Sequence, residues 1–330
     1  MSADTPQVRQ ILLHYWHVAD WRTVPSDVRD RVQMEIRSDG IVAHIPAFGD
    51  IPAAFLKIYS GEEALRNEIE GLQQAGLVSA QLGVSVPRVV EVLPAANALL
   101  FNHLPGTVLG VLLRQALLRP NPNLQTIWQR LAWWLRAFHD ARILTPKHLP
   151  GFVGWWTGLT EKYLSGVADL IGADLEQKVS QVINAIVRSA TVRPISLVMC
   201  HGDFALHNVI VNKVSIYVTD FAYRRPAPRE LDIERFFHSV EDCIGFFPTS
   251  DLRVHICSQF TADYGTDYVL DETASDAFRL LLQLERLFFL SKSRGATGSP
   301  LKRIWRSYQF RKSLLWFRDW LEAASTRYVA

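Results

Sequence analysis

The feature that most limits what this 330-residue chain can fold into is Val198-Met199-Cys200-His201-Gly202-Asp203-Phe204-Ala205-Leu206-His207-Asn208, followed by Tyr217-Val218-Thr219-Asp220-Phe221. The apolar run over 195–200 reads as a strand that delivers His201-Gly202-Asp203 to a loop. Asn208, five positions past Asp203, opens a second apolar strand running to Val211, and Asp220 ends a third. Taken singly these residues are ordinary, because Gly-Asp pairs form turns and Asn and Asp sit well at strand ends. In this order, each where a buried strand meets a loop, they form a spaced set of polar groups rather than a scatter of turn formers.

Phosphoryl transfer asks a protein for little covalent chemistry. It needs a carboxylate to orient the acceptor hydroxyl, and an amide oxygen and a second carboxylate to hold magnesium on the triphosphate. Asp203, Asn208 and Asp220 supply those types in that order. Their spacing resembles the HGDxxxxN and DF signatures of the aminoglycoside phosphotransferase and choline kinase superfamily, relatives of the protein kinases in which HGD replaces HRD. The resemblance runs from Val32 to Phe236. It implies an α+β, bilobal protein kinase-like fold, with a small antiparallel β-rich N-lobe over 1–101 and a larger, mainly helical C-lobe over 102–330. It also implies transfer of the γ-phosphoryl group of ATP, with Mg2+, to a hydroxyl of a small molecule: a sugar, amino alcohol, aminoglycoside or glycan. Asp203 is then the catalytic carboxylate, and Asn208 and Asp220 the metal ligands. Two positions depart from the family pattern. His207 stands where a small residue or glycine is usual, and Ala222 where an acidic residue or glycine often follows the DF pair. Both bear on substrate-side geometry more than on metal binding.

Ahead of this stretch, Val8, Ile11, Leu12 and Tyr15 repeat at helical spacing behind Thr5-Pro6, which predicts a short opening helix. Apolar runs over 32–36, 41–45 and 51–59, separated by Ser38-Asp39-Gly40 and Phe48-Gly49-Asp50, read as antiparallel strands joined by tight turns. Period-two alternation puts Lys57 on one strand face with Phe55 and Tyr59. A lysine in so apolar a strand calls for an anion. Ser60-Gly61-Glu62-Glu63 reads as a capping-box start to a helix with Leu65, Ile69 and Leu72 as its buried stripe. Glu68 borders that stripe, with Glu63 and Glu70 as rivals. The resemblance makes Lys57 the lysine that holds nucleotide phosphates and Glu68 its helix partner; the plain alternative is a snorkelling lysine and a solvated glutamate. Residues 84–92 and 98–106 read as two more strands, the second running into Pro105-Gly106. The resemblance puts a hinge there, at which backbone groups of Asn102, His103 and Leu104 would bond the purine edge. It puts a phosphate-covering loop at Ser38-Asp39-Gly40, where one glycine is present.

From Thr107 onward the pattern is mainly helical, with 125–142 as a long helix carrying Ile127, Leu131, Leu135 and Phe138 on one stripe. Trp133 and Trp134 read as packing residues. Trp155 and Trp156 read as packing before they read as a stacking surface for a sugar. Arg224 and Arg225 suit either a phosphate or acidic acceptor, or solvent. Pro228 and Asp232 resemble the family's segment that supports the catalytic loop. Helices over 274–291 and 304–321 close the chain, the second basic and Trp-rich, and read as core helices before a membrane-surface element. A net charge of +2 argues against a general nucleic-acid footprint. Cys200, Cys243 and Cys257 form no CxxC pair and read as reduced. The N-terminus carries no export pattern, and polar residues interrupt the most apolar stretch, 95–118, so a cytoplasmic protein is expected. Besides the enzyme, a pseudokinase scaffold is the alternative, motivated by the short turn at Gly40 and by His207. A protein kinase is a weaker third reading, because no APE-like segment follows Asp220-Phe221.

Overall fold

In the computed structural model of the chain, residues 6–328 are described apart from 38–39, 120, 122, 146–148, 193–195, 214, 245–249, 266–270 and 295–299. Thr5 and the Ser38-Asp39 part of the first expected turn lie outside the described residues. In chain order the helices and strands are α1 (Pro6–Tyr15), α2 (Ser26–Arg29), β1 (Gln33–Arg37), β2 (Gly40–Ile45), β3 (Ala54–Tyr59), α3 (Glu62–Leu82), β4 (Val84–Ser85), β5 (Val89–Leu93), β6 (Ala98–Asn102), β7 (Thr107–Val108), α4 (Leu109–Ala116), α5 (Leu124–Asp140), α6 (Leu149–Ser165), α7 (Ala168–Ile171), α8 (Ala173–Val192), β8 (Val198–Cys200), β9 (Val209–Val211), β10 (Ile216–Val218), β11 (Arg225–Ala227), α9 (Glu230–Ile244), α10 (Ser250–Tyr264), α11 (Glu272–Arg294) and α12 (Pro300–Tyr328). Two compact units form, 1–138 with 206–224 and 139–205 with 225–330.

In the first unit an antiparallel sheet runs in the order β1-β2-β3-β6-β5. Lys57 sits opposite Val42 on one side and Leu99 on the other. The sheet's apolar face, with Ala43, Leu56, Ile58 and Leu100, joins α1, which buries Val8, Ile11, Leu12 and Tyr15 as their spacing predicts. Two local expectations change. Residues 84–92 are not one strand: β4 and β5 belong to different sheets, separated at Pro87, which has no N–H for a ladder. The start of α3 is capped by Gly61 without any side-chain bond, so Ser60 forms no capping box. A second sheet, β4-β10-β9-β7, takes in the hairpin of β9 and β10. The pairing of β7 with β9 ties 206–224 to the chain just past residue 106 within this unit.

The second unit is helical around a short β8–β11 ladder. Its core draws on α6, α8, α9, α11 and α12 through Trp156, Val179, Leu231, Phe278, Leu284 and Phe317, all buried. Trp156 donates its indole N–H to Ala277 O at 3.0 Å, so it serves packing, whereas the ring of Trp155 lies 4.4 Å under the Arg225 guanidinium. Phe310, Phe317 and Leu321 make α12 a core helix. No described helix is long and apolar enough to cross a membrane.

Candidate active site

In the first unit, the β3 pleat aims Lys57 at α3. Its Nζ lies 3.3 Å from Glu68 Oε2 and also pairs with Asp220 Oδ1. All three side chains are buried or nearly so, with exposures of 12%, 2% and 13%. Of the rival glutamates, Glu70 pairs with Arg224 at 2.8 Å and Glu63 is exposed. Burial alone would lower the Lys57 pKa, but Glu68 and Asp220 outweigh it and hold the ammonium above its ordinary value. Burial pushes the Glu68 carboxyl up. One cation between two carboxylates leaves a surplus negative charge in a mostly dry cluster.

Asp220 takes φ +71°, a left-handed conformation that side chains avoid at a cost of about 1–3 kcal/mol and that collects at functional sites. The next residue, Phe221, is anchored in the core. That ring is fully buried against Phe138 at 5.9 Å and Trp134 at 6.5 Å. Gly71 on α3 leaves room for it, since a Cβ there would fall on the Phe221 side chain. Gly71→Ala is therefore expected to lower thermal stability by about 1–3 kcal/mol through overpacking, measurable as a fall in melting temperature. An unchanged melting curve would mean that the contact gives way freely. Asn208 is buried, and its carbonyl accepts both Thr219 N at 2.9 Å and Thr219 Oγ1 at 3.2 Å. The open end of the β9–β10 hairpin thus keeps Asn208 next to the residue before Asp220. The donors at this end are an amide and a carboxylate, the oxygen types magnesium takes, beside a surplus negative charge. The residues fit a divalent cation.

At the expected hinge, Asn102 bonds Arg88 in both directions, N to O at 3.0 Å and Oδ1 from N at 2.7 Å. The His103 N–H donates to Ala53 O at 3.2 Å. Its ring stacks on Phe55, 5.5 Å away and nearly parallel, with the edge of His44 against it. Burial, and then His103, push the His44 pKa down. Leu104 is buried beyond them. Arg224, one of two arginines read as open to an anion, is instead buried and held by Glu70 and Gln74.

In the second unit, β8 leads into His201-Gly202-Asp203. Gly202 takes φ +87°, which explains glycine at this place in the loop. Asp232, on the first turn of α9, accepts His201 N at 2.7 Å and Gly202 N at 2.8 Å, and His139 Nε2 lies 2.9 Å from it. The other His139 nitrogen is 2.8 Å from Tyr264 Oη. His139, Cys200 and Asp232 stand close enough to share a metal ion, but these bonds already engage the carboxylate and both ring nitrogens in holding the loop. Asp203 Oδ1 lies 3.5 Å from Arg235 Nε. Arg235 also pairs with Glu285, whose Oε1 accepts the Tyr163 hydroxyl at 3.0 Å. Burial works against the Arg235 charge, but Glu285 and Asp203 outweigh it and raise its pKa. Arg235, Glu285 and Tyr163 are absent from the sequence-derived set. Their one sequence signal is charge set inside apolar runs, as in Leu284-Glu285-Arg286-Leu287.

The family model for "Phosphotransferase enzyme family" matches residues 48–243, more than half of the chain and inclusive of Lys57, Glu68, Asp203, Asn208 and Asp220. The chain belongs to this family. It is a phosphotransferase, in line with the resemblance read from 198–221. Among solved structures, a choline/ethanolamine kinase family protein from Mesorhizobium loti is 14% identical, with a TM-score of 0.57, covering 97% of this chain and 99% of that one. A glucosamine kinase in complex with glucosamine, ADP and inorganic phosphate is 15% identical, with a TM-score of 0.63 over 91% of this chain and 82% of that one. An amicoumacin kinase in complex with AMP-PNP, Ca2+ and Ami is 14% identical, with a TM-score of 0.57 and 88% of each chain covered. These likenesses show the α+β, kinase-like fold expected from the sequence. No match is found among curated proteins.

Proposed function

We propose that this phosphotransferase moves the γ-phosphoryl group of ATP, with Mg2+, to a hydroxyl of a small molecule such as a sugar, amino alcohol, aminoglycoside or glycan. The observation that carries the reading is Lys57 held between Glu68 and Asp220 within one unit. A buried lysine steadied by a glutamate is fitted to hold phosphate oxygens, and the surplus negative charge beside it is fitted to a cation. Magnesium, when bound, would neutralise charge developing on the transferred group. Asp220 and Asn208 are its proposed ligands. Residues 1–101 would then serve as the nucleotide lobe and 102–330 as the lobe with the catalytic loop. Because the Asn102 and His103 N–H groups bond within the unit, the purine edge falls to the segment around Leu104. Asp203 orients the acceptor hydroxyl and receives its proton, and Arg235, anchored by Glu285, keeps the carboxylate aimed. The nucleotide complexes of the glucosamine and amicoumacin kinases support the choice of donor. A cytoplasmic setting, where ATP is plentiful, suits this reaction.

The test is the metal dependence of nucleotide binding. Magnesium should strengthen ATP binding to the unaltered protein, and Asp220→Ala should abolish that strengthening while the protein stays folded. Lys57→Ala should weaken ATP binding by about tenfold or more through loss of a charge-assisted contact. Calorimetry giving equal ATP affinity with and without magnesium would overturn the ligand assignment. Unchanged ATP affinity in Lys57→Ala, with a large loss of stability, would make Lys57 structural.

A further inference from the structure

The first unit contains a cavity of about 500 Å3 at the turn end of the β9–β10 hairpin, whereas Asn208 and Asp220 lie at its open end. Its size is that of small-molecule sites generally. Arg130 and Lys213 line it together with Thr107, Asn123 and Thr126, and none of its lining residues is acidic. Lys213 is exposed and pairs with no carboxylate among the described residues. Arg130 donates to the carbonyls of Leu82 and Gly83 at the C-terminal end of α3, whose dipole offsets part of its charge, and it pairs with no carboxylate among the described residues. The first turn of the 17-residue helix α5 also borders the cavity through Thr126 and carries no acidic residue of its own. Two cations and the positive end of a long helix therefore converge on a concave, acid-free space.

We propose that this cavity is a binding site for a small phosphorylated or carboxylated metabolite, separate from the Lys57 cluster and acting on it as an effector site. The hairpin supplies the link. Its turn is set by Asn212 N–H to Ser215 O at 2.9 Å and by Ser215 N–H to Asn212 Oδ1 at 2.7 Å. Each strand is three residues long, so turn and open end are separated by about 10 Å. An anion that bridges Lys213 on the turn and Arg130 on α5 ties the hairpin to the helix and biases the end that carries Asn208 and Asp220. Only this coupling rests on the proposed function; binding at the cavity does not. By linkage, the anion and magnesium-nucleotide should change each other's affinity by the same factor.

The experiment titrates the full chain with inorganic phosphate, glucose 6-phosphate and citrate by calorimetry, then repeats the titrations on Lys213→Ala, Thr126→Glu and Asp220→Ala. Thr126→Glu puts a carboxylate at an exposed position in a first helical turn, where it favours the helix and repels an anion, so misfolding is not its expected outcome. The expected result is millimolar or tighter binding of at least one probe, weakened tenfold or more in Lys213→Ala and Thr126→Glu and unchanged in Asp220→Ala. Preference for glucose 6-phosphate or citrate over inorganic phosphate would separate a metabolite site from a free-phosphate site. No binding of any probe, or binding lost only in Asp220→Ala, overturns the site. Binding at the cavity with magnesium-ADP affinity the same in the presence and absence of the probe overturns the effector role. Failure of magnesium-ADP to bind at all would count against the proposed function and leave the cavity result standing.

Discussion

Replacing Asp203 with asparagine is expected to lower phosphoryl transfer by about two orders of magnitude or more, while ATP affinity stays within about threefold. The two halves of this expectation come from different groups. In the proposed reaction the nucleotide is held by Lys57, by magnesium on Asn208 and Asp220, and by the segment around Leu104, none of which the substitution touches. Asp203 acts on the acceptor hydroxyl, and its charge matters when the hydroxyl proton has to leave. Asparagine keeps the shape, and Arg235 loses the nearby charge of Asp203 but retains Glu285, so no buried cation is stranded. A folded variant is expected, with only the chemical step impaired. The same measurement separates the enzyme from the scaffold reading prompted by His207 and the single glycine of the first turn. A scaffold has no transfer to lose. If magnesium-ATP and a broad panel of hydroxyl acceptors give the same transfer rate with the unaltered protein and with Asp203→Asn, the enzymatic reading fails for this loop.

Much of this site was legible because its residues sit at strand ends, where apolar runs mark the boundaries. Lys57 stood out as a charge in an apolar strand, and α3 followed closely enough in sequence for Glu68 to be named, although one-dimensional spacing left Glu63 and Glu70 in contention. What separates them is three-dimensional: Arg224, 154 positions from Glu70, pairs with it and leaves Glu68 to Lys57. The same long-range contact removes Arg224 from the groups available to an anion. Arg235, Glu285 and Tyr163 were illegible for a related reason. They come from three helices, α9, α11 and α6, and helical periodicity reports which face is buried without saying which buried charges meet. The cavity beside Arg130 gave no signal either, since Asn, Thr and Lys in loops and first turns read as ordinary solvated residues until their convergence is visible. The split of 84–92 into strands of two sheets was signalled by Pro87, but the strength of the flanking valines masked it.

The largest effect on stability is expected at Asp232. This carboxylate is fully buried and accepts two adjacent backbone N–H groups, from His201 and Gly202, with His139 at its third side. Burial by itself would raise its pKa. The His139 ring, together with His201 and the Gly202 N–H, outweighs burial and holds the pKa below the usual carboxylate value. Asp232→Ala leaves both N–H groups and an imidazole nitrogen buried without their acceptor, so a loss of about 3–5 kcal/mol is expected, a fall of roughly 10 °C in melting temperature for a unit of this size. Asp232→Asn should lose nearly as much, because its amide oxygen serves one N–H while its NH2 group opposes the other. The sign of the pH dependence follows from the depressed folded pKa. Ionised Asp232 contributes its full stabilisation above the unfolded value of about 3.9, and the contribution is lost as pH falls through the folded pKa. The gap in melting temperature between the unaltered protein and Asp232→Asn should therefore be constant near neutrality and shrink in acid. Since Asp203 is the next residue after Gly202, both variants should also lose phosphoryl transfer at temperatures where they remain folded. A melting temperature for Asp232→Ala within about 1 °C of the unaltered protein would mean that this carboxylate does not hold the loop.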